Sequence, residues 1–387
     1  MADSNFMDSG VPEIKEVKVG FIPLTDCAPL VIASLMKFDE KYGIKIVPCK
    51  QPSWAAVRDK VVSGELHAAQ ALYGLVYGVH LGIGGLKKDM AVLMTINNNG
   101  QGISLSSLLK EKGVTDGPSL AKLIKTQSNK FTFAHTFPTG THAMWLYYWL
   151  ANYGINPISD INTVTVPPPQ MVTNTRQGSI DGFCVGEPWN ARGIYDNVSF
   201  SVASSQDVWP DHPEKVLASS AEFVDKNPNT ARALLMAMLD AAKFIDAQAN
   251  RSKVAEIISS AAYVDAPVDV IEGRFLGNYE DGLGKTWHDP NYMKFFNDGA
   301  VPFPYLSDGM WFLTQFKRWG LLKEDPDYLE VAKQINRIDL YQQAATQLNI
   351  AVPSEVMRSS ILLDGTVWQG KDPQGYAAGF AVQSVSI

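Results

Sequence analysis

Cysteine is scarce in this chain of 387 residues: Cys27, Cys49 and Cys184 make an odd number, and their spacing matches no metal or redox motif. A disulfide framework is excluded, and the three read as small core residues. Long apolar runs are missing too. No uninterrupted stretch approaches the roughly 18 residues of a membrane span, and Met1 to Glu16 is a polar arm without an apolar signal core. The chain is therefore expected to be cytoplasmic, or exported with its leader removed. Positive charge is not in excess: the net charge of -7 excludes nucleic acid and anionic membrane surfaces as partners. One local basic group can still hold a small anion. Catalytic templates are absent as well. There is no G-x-S-x-G, no H-E-x-x-H, no Walker-type phosphate loop and no paired-cysteine motif, and the six histidines are scattered, so no catalytic residues, metal or cofactor are expected.

What is present is apolar matter in a β-α rhythm. With 46% hydrophobic and 19% charged residues, the chain is too long for one core and is expected to form two well-packed domains. Val17 to Leu24 reads as a strand, Ala28 to Phe38 as a helix and Ile44 to Cys49 as a second strand. Pro52-Ser53-Trp54 opens a helix through Val61, and Ala68 to Leu72 precedes a Gly-rich stretch, Gly74 to Gly85. Such alternation predicts parallel sheets with right-handed crossovers. Met90 to Ile96 is a strand, followed by Asn97-Asn98-Asn99-Gly100-Gln101, a hinge-like run, because these residues tolerate unusual backbone angles. The rhythm restarts after Ser106 and gives way to helices at Asn229 to Gln248, Lys253 to Ser260, Pro267 to Gly277, Asp308 to Trp319 and Tyr328 to Ile335. The tail from Val352 reads as an extended arm docked on the body.

The stretch F-T-F-A-H-T-F-P-T-G-T-H-A-M-W-L-Y-Y-W-L-A, from Phe131 to Ala151, organises the rest. It reads as strand, tight turn and helix. Such a turn aims unpaired N–H groups and the positive end of the helix dipole at one spot, beside His142, where an anion can sit. The plainer reading is a βα turn in which Thr141 caps the helix and His142 is solvated.

Six motifs decide between these readings: G-Q-G-I-S at Gly100, F-P-T-G-T-H at Phe137, V-P-P-P-Q-M-V at Val166, D-G-F-C-V-G-E-P-W-N at Asp181, D-H-P-E-K at Asp211 and W-F-L-T-Q-F-K-R-W-G at Trp311. In sequence and order they resemble the nitrate-binding and bicarbonate-binding periplasmic receptors of ABC transporters. The resemblance implies an α/β type II periplasmic-binding-protein fold, two lobes each with a mainly parallel sheet flanked by helices, joined by a double crossover. Lobe 1 would comprise residues 17–104 and 215–350, lobe 2 residues 105–214, and the C-terminal arm residues 351–387.

The resemblance also implies a ligand set: Trp54 as a flat wall with an indole N–H, Gly100 and Gln101, the turn Gly140, Thr141 and His142, and Lys215 as the charge. Gln70 stands where relatives usually carry a histidine, so it can donate to an anion without becoming cationic; alternatively it is a buried polar residue tied to backbone. Glu187 lies near the presumed cleft, where it would repel a bare anion, and pairing with Lys215 or Arg192 is the expected resolution. The implied function is capture of nitrate or nitrite for a membrane permease, on the periplasmic side. Alternatives are a bicarbonate receptor that uses calcium, disfavoured by Lys215, a cytoplasmic nitrate sensor of the same fold, and an enzyme resembling the thiamine-pyrimidine synthases.

Overall fold

The computed structural model describes residues 10–384; most of the polar arm read before the first strand, residues 1–9, lies outside the described residues. The chain first lays down β1 (Glu16–Phe21), α1 (Ala28–Leu35), β2 (Lys45–Lys50), α2 (Trp54–Ser63), β3 (Ala68–Leu72), α3 (Tyr73–Leu81) and β4 (Met90–Thr95). It then crosses to a second body and forms β5 (Gln101–Ser106), α4 (Ser107–Glu111), α5 (Gly117–Thr126), β6 (Thr132–His135), α6 (Thr141–Asn152), β7 (Asn162–Thr165), α7 (Met171–Arg176), β8 (Gly182–Gly186), α8 (Trp189–Tyr195), β9 (Ser199–Ser204) and α9 (Ser205–Val208). It returns to the first body as β10 (Lys215–Ser220).

The first sheet has the order β2-β1-β3-β10-β4 and the second β7-β6-β8-β5-β9. In each, the strand that follows a crossover, β10 or β5, is antiparallel to both its neighbours, and the other four strands share one direction. Helices cover both faces, so even the edge strand β4, Met-Ala-Val-Leu-Met-Thr, is buried at every residue.

The crossovers run side by side as a two-stranded ribbon. Ile96 N–H donates to Lys215 O at 2.6 Å and Glu214 N–H to Asn97 O at 3.0 Å, while Asn99 and Gly100 have φ of 62° and 87°. The Asn-Gly run thus takes the left-handed backbone that its composition favours. The lobe boundary expected at 104/105 is corrected: residues 101–106 are β5, paired with β8 and β9 in the second sheet. The left-handed pair redirects the chain before β5 begins.

After β10 come α10 (Ala221–Lys226), α11 (Pro228–Asp246), α12 (Gln248–Ser259), α13 (Val268–Phe275), the hairpin β11 (Asn278–Glu280) and β12 (Thr286–His288), α14 (Leu306–Arg318), α15 (Tyr328–Ile335) and α16 (Ile338–Gln347). This segment is not confined to lobe 1. Ser201 N–H of β9 donates to Asp281 O in the hairpin at 2.9 Å. The Gly-rich stretch from Gly74 contains helix α3, whose Gly74 and Gly78 face Thr139 of the other lobe. One further expectation is corrected. The tail is not a simple extended arm: it forms a ribbon of β13 (Ser360–Ile361) and β14 (Val367–Trp368) and a helix, α17 (Pro373–Ala378). Trp368 is buried and donates to Ser307 O of α14 at 2.8 Å, and Tyr148 of α6 donates to the Asp364 carboxylate at 2.9 Å. The tail thereby touches both lobes.

Candidate functional site

Residues 136–140 join β6 to α6, and everything from Thr141 to Ala151 is buried. A helix that is apolar all round must be enclosed by other elements, and its first turn is therefore inside the protein. Gly140 is the N-cap, with φ -78° and ψ 164° and no side-chain cap bond. Thr141 is the first helical residue, not the cap, so its hydroxyl is released into the cleft between the lobes. There it lies 3.4 Å from both carboxylate oxygens of Glu214 and 3.5 Å from Gln101 Nε2, long and hence weak hydrogen bonds.

Lys215, Glu214 and Asp26 have 0% exposure. The Lys215 ammonium donates to Asp26 Oδ2 at 3.0 Å and to Glu214 Oε1 more closely, and it lies 5.5 Å from the centre of the Trp54 ring, near enough for a cation–π attraction. Burial alone would depress the lysine pKa, but Asp26 and Glu214 hold it above the usual value. Burial raises both carboxyls against the pull of Lys215, Glu214 to about 7. Burial, and then the Lys215 charge, hold His142 well below its ordinary value, so the ring is neutral. Thr136 Oγ1 lies 2.5 Å from His142 Nδ1. With Thr136 donating, the proton of the neutral ring sits on Nε2, which faces the cleft 3.6 Å from Glu214 Oε1.

Buried polar atoms in native proteins are nearly all hydrogen-bonded. Here Trp54 Nε1, Gln101 Oε1 and His142 Nε2 are buried and have no partner among the described residues. All three belong to the set expected from the sequence, and with Lys215 they contribute two N–H donors, an amide that can turn its NH₂ inward, and a cation.

The other expected residues divide. Gly140 sits where a Cβ would lie 2.6 Å from Leu72 Cδ1 and 3.2 Å from Phe137 O, and Gly100 where it would lie 2.2 Å from Met293 Cε; both shape the cleft by having no side chain. Gln70 stands one step behind: Oε1 accepts from Ile22 N–H at 2.9 Å and Nε2 donates to Asp26 Oδ1, so it holds Asp26 against Lys215. The expected pairing of Glu187 with Lys215 or Arg192 is corrected. Glu187 Oε1 accepts from Arg274 Nη1 at 2.5 Å and Oε2 from Ala191 N–H at 3.2 Å, while Arg192 pairs with Asp196. The closer cation comes from α13, 87 positions downstream, which no local pattern indicates. Asp26, Glu214 and Thr136 were missed. Glu214 lies within D-H-P-E-K beside Lys215, where strand alternation would turn it away; it escapes that rule because β10 begins only at Lys215.

The lobes are in close contact around this cluster. A Cβ on Gly74 of α3 would lie 2.1 Å from Thr139 O, and one on Gly78 2.6 Å from Thr139 Oγ1. Trp189 Nε1 donates to Pro23 O at 3.0 Å, and Thr25 N–H to Glu187 O at 2.8 Å.

Comparison with known proteins agrees with this architecture. The model of the NMT1-like family matches residues 10–259. The nitrate/nitrite binding protein NrtA of Nostoc is 36% identical, over 99% of this chain and 90% of its own length. The bicarbonate-binding protein CmpA of Synechococcus elongatus is 32% identical, over 94% and 86%. The crystal structure of the periplasmic nitrate-binding protein NrtA from Synechocystis superposes with a TM-score of 0.93 at 35% identity, covering 96% of this chain and 100% of that one. The match extends over both sheets, both crossovers and the tail, and this chain accordingly belongs to the NMT1-like family, within its group of nitrate-binding and bicarbonate-binding proteins.

Proposed function

We propose that this protein is the solute-binding receptor of an ABC importer, that it clamps nitrate or nitrite between its lobes on the periplasmic side of the membrane, and that it passes the anion to a permease. The observation that carries this reading is the unpartnered trio of Trp54 Nε1, His142 Nε2 and Gln101 Oε1 around a fully buried lysine. A planar oxyanion accepts in its own plane from several directions, which suits donors converging from both lobes. Trp54 and Lys215 belong to lobe 1, Gln101 and His142 to lobe 2, so a bound anion is complete only when the lobes meet. That is the logic of hinge closure. The NrtA relatives, named as nitrate/nitrite binding proteins, and the NrtC relative, named as a nitrate import ATP-binding protein, support the same assignment.

One observation favours bicarbonate as a second reading: its hydroxyl could donate to Glu214, whereas nitrate has no proton to offer. Calcium does not fit beside it. That ion prefers six to eight oxygen ligands, but the Asp26 and Glu214 carboxylates are both engaged by the Lys215 ammonium, which would repel it.

Calorimetric titration with nitrate, nitrite and bicarbonate, each with and without calcium, tests the assignment. Nitrate or nitrite should bind without calcium, and small-angle scattering should show closure at saturation. Exclusive binding of bicarbonate, or absorbance above the protein band from a copurifying cofactor, would replace it with a rival reading.

A further inference from the structure

The cleft holds more negative charge than an anion receptor needs. Asp26 and Glu214 flank one ammonium, and His142 is neutral, so with both carboxylates ionised the cluster carries a net charge of about -1 in a dry interior. A nitrate placed against it would double that charge, and nitrate has no hydrogen to share with a carboxylate. Buried like charges at such range are strongly unfavourable unless one is neutralised.

The surroundings single out the group that changes. Both oxygens of Asp26 accept from good donors, Lys215 on Oδ2 and Gln70 on Oδ1. Glu214 has Lys215 on one oxygen and otherwise only the weak approaches of Thr141 at 3.4 Å and His142 Nε2 at 3.6 Å. It faces the His142 and Gln101 side of the cleft, where the unpartnered groups lie. The remaining titratable groups around it do not compete. His142 is tied at Nδ1 to Thr136, and His212 at Nε2 to Ser205, 2.7 Å away. His135, buried in β6, has only burial acting on it, to about 4. Cys184 beneath is a thiol pushed well above its ordinary range by burial, and Glu187 is already neutralised by Arg274.

We propose that Glu214 couples the anion to a proton: nitrate enters the cleft together with one proton, which is held on the Glu214 carboxyl and turns that group from a repelling acceptor into a donor facing the anion. The net charge of the cleft is then the same before and after binding. The displacement of Glu214 to about 7 by burial places its titration in the physiological range and agrees with this role. The inference rests on the assignment of a nitrate-class anion to the cleft.

The test is calorimetry of the wild-type protein with sodium nitrate at about pH 6 and about pH 8.5, each in two buffers of different ionisation enthalpy. Uptake approaching one proton per nitrate at the higher pH is expected, with affinity falling up to about tenfold per pH unit above about 7. Glu214→Gln, which mimics the neutral carboxyl, should lose both the uptake and the pH dependence. Nitrate binding without proton uptake at either pH overturns the proton coupling and leaves the anion assignment standing. Uptake that persists in Glu214→Gln moves the proton to another group and overturns the role of Glu214. No binding of nitrate at any pH removes the anion assignment, and the coupling with it. The wild-type measurement decides the first and last outcomes even where the variant fails to fold.

Discussion

Replacing Gly74 by alanine isolates lobe closure from everything else. The added Cβ would lie 2.1 Å from the main-chain oxygen of Thr139 in lobe 2 and 3.2 Å from Phe312 Cδ1. The oxygen belongs to a turn fixed between β6 and α6 and cannot swing aside as a side chain would. Relief needs roughly 1 Å or more of separation, and the softest coordinate is the hinge between the lobes. Overpacking of this kind costs about 1–3 kcal/mol. Most of it falls on the closed state, because the Thr139 contact exists only there; the milder approach to Phe312 remains in the open state and is offset by the up to about 1 kcal/mol that α3 gains from a glycine-to-alanine change within a helix. If binding requires closure, nitrate affinity should fall about 5- to 150-fold, with thermal stability of the free protein unchanged or higher. Calorimetry and a melting curve on one preparation read both quantities. An affinity within about twofold of wild type, at normal stability, would show that the anion is not held by the closed arrangement.

Lys215→Ala should weaken nitrate binding about tenfold to a hundredfold and Gln101→Ala only a fewfold, since a charge-assisted hydrogen bond is worth about 1.5–3 kcal/mol against about 1 for a neutral one; equal losses by calorimetry would remove Lys215 from the site. The free protein should be less stable at high pH through Glu214, whose folded-state pKa of about 7 lies above the ordinary 4.5 of a glutamate. Its contribution is fully present below the lower value and is lost as pH rises through the upper one. Glu214→Gln should therefore gain on the order of 3 kcal/mol over wild type between those limits, and parallel urea-midpoint curves against pH for the two proteins would contradict this. Trp368→Ala, which removes a buried ring and its bond to Ser307, should cost about 3–5 kcal/mol and loosen the tail, measured as a lower urea midpoint and earlier proteolysis near the ribbon; an unchanged midpoint would mean that the tail is only laid on the surface.

Much of the site was legible because its parts are local. The β6–α6 turn announces itself through an alternating aromatic strand, Pro138-Thr139-Gly140 and a helix start, and the Asn-Gly run signals left-handed backbone at a crossover; Asn99 and Gly100 adopt it. The motifs around Trp54, Gln101, His142 and Lys215 point to one ligand set, and the fold places all four side chains in one buried cleft. Glu187 shows where local reading fails: the carboxylate expected to pair with Lys215 or Arg192 is bound by Arg274, a residue from a helix after the second crossover.

The sequence by itself determined the alternation of strands and helices, the membership in a receptor family and the candidate ligand residues, because each of these is carried by short motifs of neighbouring residues. Only the tertiary structure decided the electrostatics. Asp26 and Lys215 are 189 positions apart and meet because β3 and β10 are neighbours and the turn after β1 folds over them. Burial of that meeting point makes the two carboxylates significant, since charges that water would screen act at full strength in the interior. The glycines of α3 follow the same rule. In the chain they read only as a Gly-rich stretch, and the approach of Thr139 from the other lobe shows that Gly74 and Gly78 leave space for a backbone to come near.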